Sequence, residues 1–365
     1  IGAKTVRSIQ KHLNKTQNKW DDFWVNRGQT WQQLSINRKT AKSIKNFLKE
    51  HNPYSFYQKL KQQQVSVVTE SDRCYPRWLL TIEDRPAVLF VKGRLSINPK
   101  LPIAVVGTRS MTLYGRKVTE KLTQELTAFN TCIISGFMYG VDVTAQQRAL
   151  DQGGTTIGVL GSGFSHIYPD QHTDLMEQMI STGRAAFISE YLPDTKPSKG
   201  TFPRRNRIIA GMSLAVLVTE AAIDSGTHIT VGRALDYGRD VFAVPGPITS
   251  PFSEGVRYMH NQGAMMVGSG KELVAALSAR NWCTSGPLVS SSLDKNKKNC
   301  KLPPAAAGLS SLERQVLQLL EQEALSAEVI ARETNAAIDQ AAAALTNLRV
   351  KGLISSQGGR WLNKV

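Results

Sequence analysis

The densest group of side chains able to hold an anion is Lys199-Gly200-Thr201-Phe202-Pro203-Arg204-Arg205-Asn206-Arg207, where one aromatic stands among four cations and an amide. That combination suits single-stranded nucleic acid, because cations can follow the phosphates while the ring offers a face to a base. The competing reading is a solvated loop entering a helix, with Phe202 packed as a hydrophobic staple. Basic residues at a helix start oppose its dipole, and a nearby anion would relieve them, which favours binding. A second pattern, Ile103-Ala104-Val105-Val106-Gly107-Thr108-Arg109 followed by Tyr114-Gly115-Arg116, reads as strand, tight turn and helix start. Such a turn aims backbone N–H groups and a helix dipole at a phosphate, and Arg109 adds a bidentate donor. It lacks the GxGxxG spacing and the acidic residue that would hold a ribose, so no dinucleotide cofactor is expected.

Two further corners are glycine-rich. Ser135-Gly136-Phe137-Met138-Tyr139-Gly140-Val141-Asp142 places a carboxylate where it can cap a helix. Gly161-Ser162-Gly163 precedes Tyr168-Pro169, whose ring either stacks on a ligand or packs. Glu220, Ser225 and His228 include the residue types of nucleophilic catalysis. They form no nucleophile elbow, and a structural or ligand-orienting role is expected for them. The four cysteines (Cys74, Cys132, Cys283, Cys300) form no CxxC pair and the six histidines no HxxxH pair, so neither metal nor disulfide framework is expected and the thiols read as reduced.

Several of these groups fall where apolar runs of strand length end. The runs, at 103–106, 132–134, 156–160, 186–188, 214–219 and 241–244, alternate with helical patterns. Continuous Val/Ile/Leu strands separated by helices imply an α/β fold, an extended Rossmann-like parallel sheet covered on both faces. Ligands of such sheets lie at the carboxyl ends of the strands. Residues 1–100 read as a small helical domain, with helices near 6–13 and 41–48, a core of Trp20, Trp24 and Trp31, and a lead-in strand over 85–93. The sheet core is placed at 101–283 and a Pro-, Ser- and Lys-rich linker at 284–310. Helices starting near 312, 326 and 338 and a short hairpin give a winged-helix pattern over 311–365.

The 365 residues carry a net charge of +16, which points to a polyanionic partner. Most of it is N-terminal: residues 1–100 hold 19 basic and 7 acidic residues, whereas 101–283 hold 16 and 15. The core must therefore build an anion site from a few well-placed cations. No apolar stretch approaches the ~18 residues of a membrane helix and no signal peptide is read, so the expected place is the cytoplasm, away from the membrane.

Taken in order, these strings resemble the DNA-processing protein A (DprA, or Smf) family: Gly107-Thr108-Arg109, Ser135 to Asp142, Gly161-Ser162-Gly163 with Tyr168-Pro169, and Ser189-Glu190. The match continues through Phe202-Pro203-Arg204-Arg205-Asn206-Arg207-Ile208-Ile209, Glu220-Ala221, Ser225-Gly226-Thr227, Val241-Phe242-Ala243-Val244-Pro245-Gly246, Ser253-Glu254-Gly255 and Gly263-Ala264, covering about 103–280. The resemblance implies a Rossmann-like core without catalytic use, single-stranded DNA as ligand, homodimers, and loading of the RecA recombinase during natural transformation. It places the DNA on Gly107, Thr108, Arg109, Gly161, Gly163, Lys199, Phe202, Arg204, Arg205, Asn206 and Arg207. The N-terminal segment is similar to a helix-hairpin-helix or SAM-like module, with Gly2-Ala3-Lys4-Thr5 as its truncated hairpin. One departure is Gln146, where the family carries His; the change is expected to spare binding.

Two rival classes remain. Phosphoribohydrolases of the lysine-decarboxylase-like family share a related core and bind nucleotides at a PGGxGT loop, for which Asp224-Ser225-Gly226-Thr227-His228 is the nearest string. A duplex-reading regulator would act through the winged helix, yet its third helix, near 338–350, offers only Arg349 and Lys351 as cations.

Overall fold

The computed structural model describes residues 42, 46, 53–280, 310–320, 325–334, 336–350, 354–357 and 360–363. The helices expected near 6–13 and across most of 41–48, the three-tryptophan core, the hairpin-like Gly2-Ala3-Lys4-Thr5 and the linker lie outside them. The chain forms two compact units, 1–300 and 301–365.

In the first unit the elements run α1 (Pro53–Gln62), β1 (Val65–Thr69), β2 (Val88–Gly93), β3 (Pro102–Val106), α2 (Leu113–Thr127), β4 (Cys132–Ser135), α3 (Val141–Asp151) and β5 (Thr155–Val159). They continue with α4 (Thr173–Ser181), β6 (Ala185–Ser189), α5 (Thr201–Met212), β7 (Ala215–Val218), α6 (Thr227–Asp236), β8 (Asp240–Ala243), α7 (Pro251–Asn261), β9 (Met265–Met266) and α8 (Gly270–Ala279). One nine-stranded sheet results, in the order β1-β2-β6-β5-β4-β3-β7-β8-β9. From β6 to β9 the neighbours are parallel. The chain leaves β3 toward β4 on one side and returns to β7 on the other, so β3 is the point where a doubly wound sheet opens a crevice.

Alternation along the strands sends one set of residues to each face. Val106, Ile134, Val159, Ile188 and Val218 pack with Ile208, Ile209 and Met212 of α5. Val105, Ile133, Leu217 and Phe242 pack with Leu122 and Leu126 of α2, Ala145 and Ala149 of α3, and Leu273 and Leu277 of α8. Each such buried aliphatic side chain contributes about 1.5–3 kcal/mol, which is why unbroken apolar strands settle here.

Two departures from the sequence reading concern the N-terminal side. Residues 65–69 and 88–93 are antiparallel strands of the same sheet, β2 docking on β6, so the sheet extends across the boundary drawn at 100. Arg207, Glu190 and Asp84 bind the segment before β2 to α5, and Tyr237, just after α6, donates to Asp84 at 2.6 Å. The second departure is Cys74, read as a reduced thiol and in fact disulfide-bonded; separation along a chain says nothing of distance in a fold. Cys132 is free and buried, and burial pushes its thiol up to about 12.

The second unit carries α9 (Ser311–Leu320), α10 (Ala327–Glu333), α11 (Ile338–Val350) and an antiparallel pair, β10 (Ile354–Gln357) with β11 (Arg360–Asn363). Val316, Ile330, Leu345, Leu348 and Ile354 form its core. Three helices closed by a hairpin make the winged helix that the sequence pattern implied. Among the described residues no helix is long and apolar enough to cross a membrane.

Candidate nucleic-acid interface

A cavity of about 720 Å³ opens at the carboxyl edge of the sheet, beside β3. Its walls come from consecutive corners along that edge: Gly107, Thr108 and Arg109 after β3, Met138 after β4, Tyr168 after β5, and Lys199 and Phe202 after β6. Asp224, Ser225 and Thr227 after β7 close the other side, and Asp142, Arg205 and Asn206 also contribute.

Helices α5 and α6 both begin at this cavity. Neither has an acidic residue in its first turn or a side-chain bond from its N-cap residue, although Thr227 N–H of α6 donates to Ser225 Oγ at 3.2 Å, so both positive dipole ends are turned to the cavity without a carboxylate of their own. Arg109 and Lys199 are exposed at the rim. Phe202 lies between the charged groups and the glycine corner. The Arg109 guanidinium carbon is 5.7 Å from its ring centroid, that of Arg205 5.9 Å, and the Tyr168 ring 5.4 Å. A Cβ on Gly161 would stand 2.7 Å from the Phe202 ring, so the ring rests on bare backbone.

The β3 turn is held from below. Thr108 N–H donates to the Glu220 carbonyl at 2.8 Å and Ser110 N–H to Thr108 Oγ1 at 3.2 Å, so these two amides of the turn are already committed. Gly140, with φ +76°, lets the next corner lie against the carbonyls of Thr108 and Arg109. The Glu220 carboxylate, buried, accepts from Thr112 N–H at 2.9 Å and Thr112 Oγ1 at 2.6 Å. His228 Nε2 is 3.1 Å from the Ala222 carbonyl, and Ser225 Oγ pairs with Thr227 Oγ1 at 2.9 Å. The three groups with catalytic chemistry thus serve separate local bonds.

The four cations of the α5 motif play different parts. Lys199 points to the cavity rim, and Arg204 is exposed outside the cavity lining. Arg205 is 3 % exposed; its Nη1 donates to the Gly136 carbonyl at 2.6 Å and also to that of Val159. Burial pushes it down to about 10, against the opposing pull of Asp142. Asp142 is also buried and accepts from Gly136 N–H at 3.1 Å. Burial raises its pKa, with the Arg205 charge holding it back. Arg207 lies outside the cavity lining and grips both Glu190 oxygens, at 2.6 and 2.7 Å.

Of the residues singled out by sequence, Gly107, Thr108, Arg109, Lys199, Phe202, Arg205 and Asn206 therefore line one cavity. Gly161 supports the Phe202 ring, and Gly163 fits against the Leu192 and Pro193 carbonyls. Gln146 is fully buried and donates to Thr156 Oγ1 at 3.2 Å, away from the cavity lining. Met138 and the Asp224-Ser225 wall were not foreseen as lining; the strand ends that bear them were the available signal. Among the described residues no group of three or more His, Cys, Asp and Glu could hold a metal ion.

The family models and the curated relatives agree on a single family. The family model for DNA recombination-mediator protein A matches residues 66–278, and that for the DprA winged helix domain matches 301–360. Protein Smf of Synechocystis is 30% identical over 98% of this chain and 94% of its own. DNA processing protein DprA of Bacillus subtilis is 38% identical over 66% of this chain and 82% of its own. The X-ray structure of DprA from Streptococcus pneumoniae superposes with a TM-score of 0.63 at 33% identity, covering 74% of this chain and 92% of that one. A Helicobacter pylori DNA processing protein A structure, described for its single-stranded DNA binding mode, gives 0.53 at 25% identity over 60% and 97%.

Proposed function

The chain belongs to the DNA recombination-mediator protein A (DprA/Smf) family, and from that premise we propose that its cavity binds single-stranded DNA without cutting it. The observation that carries this reading is the convergence on Phe202 of two guanidinium groups, a tyrosine and the N-terminus of α5. Phosphates rest on Arg109 and Lys199 and face the two helix N-termini, while a base stacks on Phe202 for about 1–3 kcal/mol. Arg205 and Asn206 hold the floor. Binding of this kind reads backbone and ring faces, so it is indifferent to sequence.

The separate commitments of Glu220, Ser225 and His228 support a handler of DNA rather than a hydrolase. The family's description as a recombination mediator supports delivery of the bound strand to a RecA-type recombinase, and the same reading places the protein in the cytoplasm as a homodimer. Two linked sites would raise avidity well above that of one cavity.

Equilibrium binding of a labelled single strand of about 30 nucleotides, against its duplex and across a salt series, tests the reading. Salt-sensitive preference for the single strand, recovered intact, is expected. Equal or duplex-favouring affinity would transfer DNA binding to the winged helix, and release of free base from a nucleotide would make the protein a nucleotide-processing enzyme.

A further inference from the structure

The corner after β4 carries an aromatic that the cavity does not use. Tyr139 is 42 % exposed, yet its ring is fixed. Its hydroxyl donates to Gln171 Oε1 at 2.7 Å, and its ring meets His172 edge-on at 4.9 Å. His172 is buried in turn, with Nδ1 3.1 Å from the Phe137 carbonyl. An isolated exposed aromatic means little. This one stands between Met138, which lines the cavity, and Gly140, which lies against the backbone of Arg109.

Its place along the edge is equally specific. Strands β4 and β5 are parallel neighbours, so the corner bearing Tyr139 adjoins the segment after β5 that bears Tyr168. Tyr168 is 40 % exposed and borders Phe202. Gln171, which holds Tyr139, follows Tyr168 by three residues. Phe202, Tyr168 and Tyr139 therefore follow one another along the carboxyl edge. Because the Tyr139 ring is already immobilised, stacking on it costs little additional order.

We propose that Tyr139 is a second base-stacking platform, so that a strand held at Phe202 continues past Tyr168 to Tyr139. This rests on the single-strand reading of the cavity and extends it by a residue outside the cavity lining.

The test uses the full chain and fluorescence anisotropy, with an oligothymidylate of about 16 nucleotides and an abasic strand of the same length. Tyr139→Ala should weaken oligothymidylate binding about five-fold or more, the lower range for one stacked base, and leave abasic binding unchanged. Tyr139→Phe, which keeps the ring, should match wild type on both strands, and the melting temperature of Tyr139→Ala should be that of wild type. The proposal is overturned if Tyr139→Ala keeps wild-type affinity, loses both ligands equally, or is matched by Tyr139→Phe. Phe202→Ala separates the two readings: if it spares oligothymidylate binding, the cavity reading itself fails and the second platform falls with it.

Discussion

Replacing Arg205 with alanine should damage the fold before it damages binding. The side chain is 3 % exposed, and one nitrogen serves the carbonyls of Gly136 and Val159, which lose that donor once the guanidinium is gone. A hydrogen bond from a charged donor contributes about 1.5–3 kcal/mol. The nearby Asp142 carboxylate would lose its compensating charge while staying buried. Removing one member of such a buried charge pair costs about 3–5 kcal/mol. With a urea m-value near 3 kcal/mol per molar for a unit of this size, the midpoint should fall by about 1–2 M. Urea titration followed by tryptophan fluorescence measures it, and single-strand affinity is then read well below the new midpoint. A midpoint within about 0.2 M of wild type, with affinity abolished, would mean that Arg205 is a phosphate ligand and that its inward bonds carry little.

Lys199→Ala should leave the urea midpoint unchanged and reduce the slope of log K against log salt by about 0.7, one phosphate contact on a single strand. Arg207→Ala should do the opposite, lowering the midpoint while sparing that slope, since its guanidinium is engaged by Glu190. Gly161→Ala should weaken single-strand binding although it changes no charge, because the new methyl would press on the Phe202 ring; wild-type affinity would show that the ring's seat is unimportant. For Asp142, burial raises the folded pKa, so its contribution to stability is present below the usual carboxylate value near 4 and is lost as pH rises through the raised value. Asp142→Asn should flatten that part of the stability–pH curve, measured by urea midpoints from acid to neutral pH.

Much of this architecture was legible because buried parallel strands leave unbroken apolar runs. The runs at 132–134, 156–160, 186–188, 214–219 and 241–244 all became strands of the sheet within two residues at either end. Strand β1 was hidden in a Gln- and Lys-rich stretch, and β9 is two residues long, too short for any period to show. The α5 cluster was legible as a group and misleading residue by residue. Composition alone makes its arginines equivalent, whereas the helix sorts them by face. The clue was available: Arg205 precedes the buried Ile208, Ile209 and Met212 by three, four and seven residues, the spacing of a core-facing stripe. Arg207 was beyond such reasoning, because its partners Glu190 and Asp84 come from distant segments.

The cavity takes a wall from each of six strand-to-helix corners, the first at Gly107 and the last at Phe252. No contiguous stretch of the chain can form it, so the cavity is incomplete on the ribosome until the start of α7 has emerged. The same assembly links ligand to folding. A strand present at a hundred times its dissociation constant would stabilise the closed sheet by about 2.7 kcal/mol. Unfolding in the presence of DNA would then report the integrity of the whole carboxyl edge at once, and a lesion in any one corner would appear as ligand-dependent stability lost everywhere.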